Sequence, residues 1–218
     1  MIVEEIGFSD KYNLCRLKVS GELFYISYDL FNDLDIKKDE ELDFDVFSKI
    51  QADNSYNRAK NYILNRISYA NKTSFEIGKI LRDKGYEADV TEKVIEFLTD
   101  YKLVDDESFV RSFIADKSSI NGWPKNKIRY KLKLKGIPDS LIDENLTLID
   151  DDSEYEKALY FAEKKARGDY SFKMKNKVYR HLAGKGFDFD VIGRVMGELF
   201  SWVILYICLD VPIGVFIQ

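Results

Sequence analysis

The sequence predicts a mainly α-helical protein: three tandem three-helix repeats in an extended array, preceded by a small β-rich N-terminal module. Three observations lead there. A Leu-x-x-Lys-Gly signature recurs at about fifty-residue intervals, in LRDKGYEADVTE at 81–92, LKLKGIPDSLID at 132–143 and LAGKGFDFDVIG at 182–193. From about Asp43 onward, apolar residues return at spacings of three and four, the period of an amphipathic helix. The first fifty residues instead carry short β-branched and aromatic runs separated by turn residues. A chain of 218 residues that is 45% hydrophobic and 14% aromatic has the material for proper cores.

Taken in order, MIVEEIGF, YNLCRLKV and ELFYIS read as strands of a module over 1–52, with Ser20-Gly21 as the hairpin turn between the last two. A short helix through YDLFNDL and a turn at KKDE follow. Three repeats are expected over 53–106, 107–152 and 153–200, with leading helices at 58–70, 108–117 and 154–166. Polar QADNSYN at 51–57 predicts a break between the helical pattern of Phe44, Phe47 and Ile50 and that of Ala59, Tyr62, Ile63 and Ile67. Thr73-Ser-Phe-Glu76 is a capping-box pattern that opens a helix ending at Gly85.

The repeat holds position by position. Eight residues before Gly85, Gly136 and Gly186 stand Ile77, Ile128 and Val178, and four before them stand Leu81, Leu132 and Leu182, an i,i+4 pair on one helix face. Tyr86, Ile137 and Phe187 follow directly. Five, nine and thirteen residues on come Val90/Val94/Leu98, Leu141/Asn145/Ile149 and Val191/Val195/Leu199, the stripe of a second helix. Each glycine is expected at the left-handed position that stops a helix, with the preceding lysine at the negative end of the helix dipole. Asp89, Ser140 and Asp190 are expected to cap the next helix, with Asp188 competing in the third copy.

Charge is distributed unevenly. The net charge is −5, yet 123–136 holds Lys125, Lys127, Arg129, Lys131, Lys133 and Lys135 with no acidic residue, and 164–180 sets Lys164, Lys165, Arg167, Lys173, Lys175, Lys177 and Arg180 against Asp169 alone. Projected as a helix, 124–135 places Lys125, Arg129 and Lys133 on one flank and Lys127, Lys131 and Lys135 on another. Ile128 and Leu132 lie between them, with Tyr130 and Leu134 opposite. Cations so arranged suit nucleic-acid phosphate or an acidic protein surface, and a solvated charged helix is the plainer reading. In RGDYSFKMKNK, Phe172 is expected in the core, while Tyr170 is left open between core and base stacking.

Enzyme chemistry finds little foothold. His181 is the single histidine, with no nucleophile pattern near it, and reads as a surface or partly buried structural residue. Asp105-Asp106-Glu107 and Asp150-Asp151-Asp152 invite a Mg²⁺ reading, but adjacent carboxylates at helix starts serve more often as caps; a metal-dependent nuclease is the weakest reading. There is no phosphate-binding Gly-x-x-x-x-Gly-Lys loop, and no cofactor is expected. Cys15 and Cys208 form neither a disulfide framework nor a zinc motif. An acidic N-terminus lacks the pattern of a signal peptide, so a cytoplasmic protein is expected.

KTSFEIGKILRDKGYEADVTEKVIEFLTDYKLVDDESFVRSFIADK, followed by GWPKNKIRYKLKLKGI, resembles the RecX family of bacterial recombination regulators over roughly 57–200. LVDDESFVRSF is its most specific stretch. The resemblance implies a three-repeat helical protein that binds the RecA–single-stranded DNA filament and inhibits RecA ATP hydrolysis and strand exchange. It implies a monomer with no enzymatic activity and no membrane attachment. The expected contact residues are Lys125, Lys127, Arg129, Lys131 and Lys133, then Arg111, Lys173, Lys175, Lys177 and Arg180. The alternative is a helical repeat adaptor for nucleic acid or protein without recombinase control. Trp123 departs from the family's usual Gly-Pro start to the basic helix. A second departure is the atypical apolar tail at 201–218, with Asp210 its single charge. The tail reads as a divergent end, with an extra packed element or an oligomer contact as alternatives; WVILYICL is too short to span a membrane.

Overall fold

A computed structural model describes residues 1–9, 13–67 and 71–208, the last eight as backbone alone. The chain divides into two units, Met1–Asp106 and Glu107–Gln218. In the first, β1 (Val3–Ser9), β2 (Leu14–Val19) and β3 (Glu22–Ser27) form an antiparallel sheet in chain order. Ser20 and Gly21, at φ 46° and 88°, make the two-residue turn closed by the Val19↔Glu22 pair. Alternation along β2 sends Cys15, Leu17 and Val19 into a core with Val3, Phe24 and Ile26. The short helix α1 (Tyr28–Asp33) starts where the Ser27 hydroxyl accepts from the Leu30 N–H at 3.3 Å.

The break expected at 51–57 is absent. Helix α2 (Phe44–Ile67) runs unbroken for 24 residues, so the boundary expected after residue 52 falls inside it and the leading helix expected at 58–70 is its second half. The polar stretch serves a tertiary purpose. Asn54 Oδ1 accepts from the Tyr25 N–H at 2.8 Å, Asp53 Oδ2 accepts from the Ser27 N–H at 2.6 Å, and Asn57 Nδ2 donates to the Tyr25 carbonyl at 3.4 Å. These bonds occupy groups on the edge strand β3 that would otherwise be open to another strand. The opposite edge is covered too, since the Val3 N–H donates to Glu40 O at 3.0 Å and the Asp39 N–H to Val3 O at 2.8 Å.

Helix α2 also serves two cores. Ile50 packs in the sheet core, while Ala59 and Ile63 join Ile77 and Leu81 of α3 (Ser74–Asp83) and Val90, Val94 and Leu98 of α4 (Ala88–Asp100). Helix α3 opens with the expected capping box: Thr73 Oγ1 accepts from the Glu76 N–H, and Glu76 Oε2 from the Thr73 N–H, both at 3.2 Å.

The second repeat comprises α5 (Asp106–Ala115), α6 (Lys125–Leu134) and α7 (Asp139–Leu146); the third comprises α8 (Asp151–Ala166), α9 (Phe172–Lys185) and α10 (Phe189–Cys208). Each keeps its own core, around Val110, Ile128, Leu132 and Ile142 in one and Ala158, Val178, Leu182 and Ile192 in the other. The helix expected at 108–117 gives way after Ala115 to a π-helical turn, Asp116–Ile120. Helix α10 continues past the expected limit at residue 200. The proposed character of the tail rests on side chains beyond Phe200 and on residues 209–218, which lie outside the described residues.

All three repeat glycines are left-handed, with φ of 85°, 75° and 95° at Gly85, Gly136 and Gly186. The same bonds close each turn: Tyr86, Ile137 and Phe187 donate to Leu81, Leu132 and Leu182 carbonyls at 3.1, 3.2 and 3.2 Å, and each glycine N–H donates to the residue three before it at 2.9 Å. The next helix then starts sooner than expected. Glu87 and Pro138 hold the N-cap positions, two residues after their glycines, and Asp188 in the same place accepts from the Asp190 N–H at 3.0 Å. Asp89, Ser140 and Asp190 therefore sit inside the first helical turn, where they do not cap. Thr91, Ile142 and Ile192, six residues after the glycines, are buried as well, a core position that the Thr in the first copy concealed.

Candidate nucleic-acid interface

Basic helix α6 is held by Ile128 and Leu132, both fully buried. Its N-cap residue, Pro124, makes no side-chain cap bond; the Lys125 N–H instead donates at 3.0 Å to Glu154 of α8, a carboxylate only 4% exposed. Burial is the leading influence on Glu154 and raises its pKa above the ordinary carboxylate range. The flank expected to meet phosphate is compensated within the protein. Lys125 pairs with Asp151 at 2.5 Å, Arg129 pairs with Asp143, and Lys133 pairs with Asp139 at 2.8 Å. Arg111 is likewise tied to Glu107, one turn earlier on α5.

The other flank differs. Lys127 lies over the Trp123 ring at 4.2 Å and Lys131 over Tyr130 at 5.7 Å, and neither has an ion pair among the described residues. Tyr130 and Leu134 stand beside them in solvent, 58% and 56% exposed.

Helix α9 is the more open cationic surface. Ser171 caps it by accepting from the Met174 N–H at 3.3 Å, and its sequence FKMKNKVYRHLAGK contains no carboxylate. Val178 and Leu182 bury one side, while Lys173, Asn176, Lys177 and Arg180 are exposed on the other. Lys173, Lys175, Lys177 and Arg180 have no ion pair among the described residues; Arg180 Nε donates back to the Asn176 carbonyl at 3.3 Å. The expectation for Phe172 is overturned. It is the first residue of α9 and is 78% exposed, because Met174, two residues on, is the side chain that packs against the core. Tyr170 is 44% exposed and meets Phe200 edge-on at 5.9 Å.

Of the titratable groups singled out by the sequence, Asp150 and Asp106 accept backbone N–H groups at helix starts. His181 is half-buried, and burial, with Lys185 and Lys165 nearby, lowers its pKa. Asp150 caps α8 by accepting from the Asp152 N–H at 3.4 Å. Asp106 accepts from the Ser74 N–H at 2.9 Å and the Ser74 hydroxyl at 2.5 Å. Among the described residues, no His, Cys, Asp and Glu side chains group in a way that would hold a metal ion, and no helix is long and apolar enough to cross a membrane.

Models of the first, second and third three-helix domains of RecX match residues 59–98, 105–146 and 152–196. The chain belongs to the RecX family. Curated relatives named Regulatory protein RecX include one from Clostridioides difficile strain 630, 32% identical over 170 residues, covering 77% of this chain and 80% of the relative. Another, from Clostridium acetobutylicum, is 36% identical over 173 residues, covering 76% and 80%. A solved regulatory protein RecX shares the fold with a TM-score of 0.72 and 22% identity, over 92% of this chain and 98% of that one. RecX from Lactobacillus salivarius superposes with a TM-score of 0.61 and 28% identity, over 66% and 96%. RecX is a family of regulatory proteins and not a known enzyme family. Within this RecX chain, sequence reasoning found the cations of α6 and α9 but missed the exposed rings of Phe172 and Tyr179. The signal was present, since projecting α9 from Val178 and Leu182 places both rings away from the core.

Proposed function

We propose that this RecX-family chain binds the RecA–single-stranded DNA filament and inhibits RecA ATP hydrolysis and strand exchange. On this reading it acts in the cytoplasm as a non-enzymatic monomer. The observation that carries the reading is the cationic face of α9, whose Lys173, Lys175, Lys177 and Arg180 have no ion pair among the described residues, in a chain of RecX architecture. Lys173, Lys175, Lys177 and Arg180, with Lys127 and Lys131 of α6, are the primary contacts. Lys125, Arg129, Lys133 and Arg111 contribute less, because each must first exchange a carboxylate partner of its own. Binding through such cations releases counterions and weakens steeply with salt. The test is a titration of the chain into RecA hydrolysing ATP on single-stranded DNA. Hydrolysis falls at substoichiometric protein if the proposal is right; unchanged hydrolysis, with DNA binding intact, would make the chain an adaptor.

A further inference from the structure

On α9, Phe172 and Tyr179 are 78% and 42% exposed, and neither ring has an aromatic or cationic partner among the described residues. Seven residues apart on a helix, they lie within roughly 20° of one line and about 10 Å apart along the axis. Asn176 stands between them. Lys173 and Arg180 follow on the same solvent face, about 100° round from the rings, with Lys177 beyond. A ring stripe and a cation stripe therefore run side by side along one exposed helix. Phe172 keeps little of its ring from water, and the 42% of Tyr179 that stays open meets no described ring or cation, so the exposed faces of the two rings add no stability to the fold.

We propose that α9 is a stacking platform for single-stranded DNA, with Phe172 and Tyr179 each taking the face of an unpaired base and Lys173, Lys177 and Arg180 tracking the phosphates. Single-stranded DNA suits both stripes at once. Its bases are free to turn onto rings, and its backbone is a line of charge, whereas duplex DNA hides its base faces. An acidic protein surface would use the cations but leave two aromatic rings without a matching chemistry. The inference rests on α9 being a DNA-facing helix, but not on any effect upon RecA.

The test uses the full chain without RecA, following the anisotropy of a fluorescein-labelled oligo-dT and of an abasic oligonucleotide of the same length. Phe172→Ala and Tyr179→Ala should each weaken oligo-dT binding by about tenfold, the worth of one stacked base. Because the phosphate contacts remain, the salt dependence of affinity should keep its slope in both variants and flatten in Lys173→Ala/Lys177→Ala. Wild-type protein should bind the abasic strand about as weakly as Phe172→Ala/Tyr179→Ala binds oligo-dT, since both stacks are lost in each case, a comparison that stays decisive if a substitution unfolds the chain. Wild-type affinity in the Phe172→Ala/Tyr179→Ala protein, or equal affinity for abasic and intact strands, overturns the proposal. So does an absence of oligo-dT binding. If RecA ATP hydrolysis is still inhibited in any of those cases, α9 meets protein in the filament and the broader function survives.

Discussion

Glu154 is the most exacting place to test the physical reading of the second unit. Its carboxylate accepts the Lys125 N–H at 3.0 Å at the start of a helix whose N-cap, Pro124, makes no cap bond of its own. Glu154→Ala removes that acceptor in a site only 4% exposed, and the orphaned donor costs about 1–3 kcal/mol. Glu154→Gln should cost far less, because it keeps an oxygen in place and removes the charge that burial disfavours. The sign with pH follows from the same geometry. Burial raises the folded pKa above the ordinary 4.5, outweighing the Lys125 N–H and the Lys125 charge, while Asp151 and Asp188 push it the same way as burial. The folded chain thus holds a proton that the unfolded chain has already lost, and stability from this group falls as pH rises from about 4.5 through the raised value. Urea unfolding by circular dichroism from pH 4 to 8, with wild type compared to Glu154→Gln, isolates it. The glutamine variant should gain on wild type across that interval and hold its gain above it. A glutamine variant as unstable as alanine, or a difference that shrinks with rising pH, would refute the reasoning.

The glycine stops are not equivalent. Gly85→Ala should cost about 1 kcal/mol for its left-handed backbone alone, whereas Gly186→Ala should cost more, because the new methyl comes within 3.3 Å of Lys127 Cβ. Equal losses in urea unfolding would remove that contact from the account. Reversing Lys173, Lys177 and Arg180 to Glu should abolish inhibition of RecA without changing helicity. Reversing Lys125, Arg129 and Lys133 should instead weaken the fold by facing Asp151, Asp143 and Asp139 with like charges. The opposite pattern in paired ATPase and thermal-melt measurements would place the interface on α6. Cys15 is fully buried and its thiol is pushed up to about 11 by burial, so in a Cys208→Ser background it should resist thiol reagents at pH 8 until the chain unfolds. Rapid labelling of folded protein would contradict that.

Much of the architecture is local, and local chemistry is legible in a sequence. Leu81, Leu132 and Leu182 with their glycines specify a helix stop by backbone conformation, and Thr73 with Glu76 specifies a helix start, each within five residues. The Ser20-Gly21 turn and the alternation of β2 are of the same kind. The misreadings share another cause. QADNSYN looks like a linker because its polar partners, the free edge groups of Tyr25 and Ser27, lie some thirty residues away. Phe172 looks like core because an aromatic residue gains most by burial, yet the phase of α9 gives the packed position to Met174.

The candidate interface divides the same way. Residue types and spacing by themselves determined three repeats and located the cations on α6 and α9. Only the tertiary structure decided which cations are available, since Asp139, Asp143 and Asp151 come from other helices to neutralise one flank of α6, while no carboxylate reaches the described cations of α9 within ion-pair distance. Charge is written in the sequence, but compensation depends on distances of a few ångströms between elements that only packing brings together.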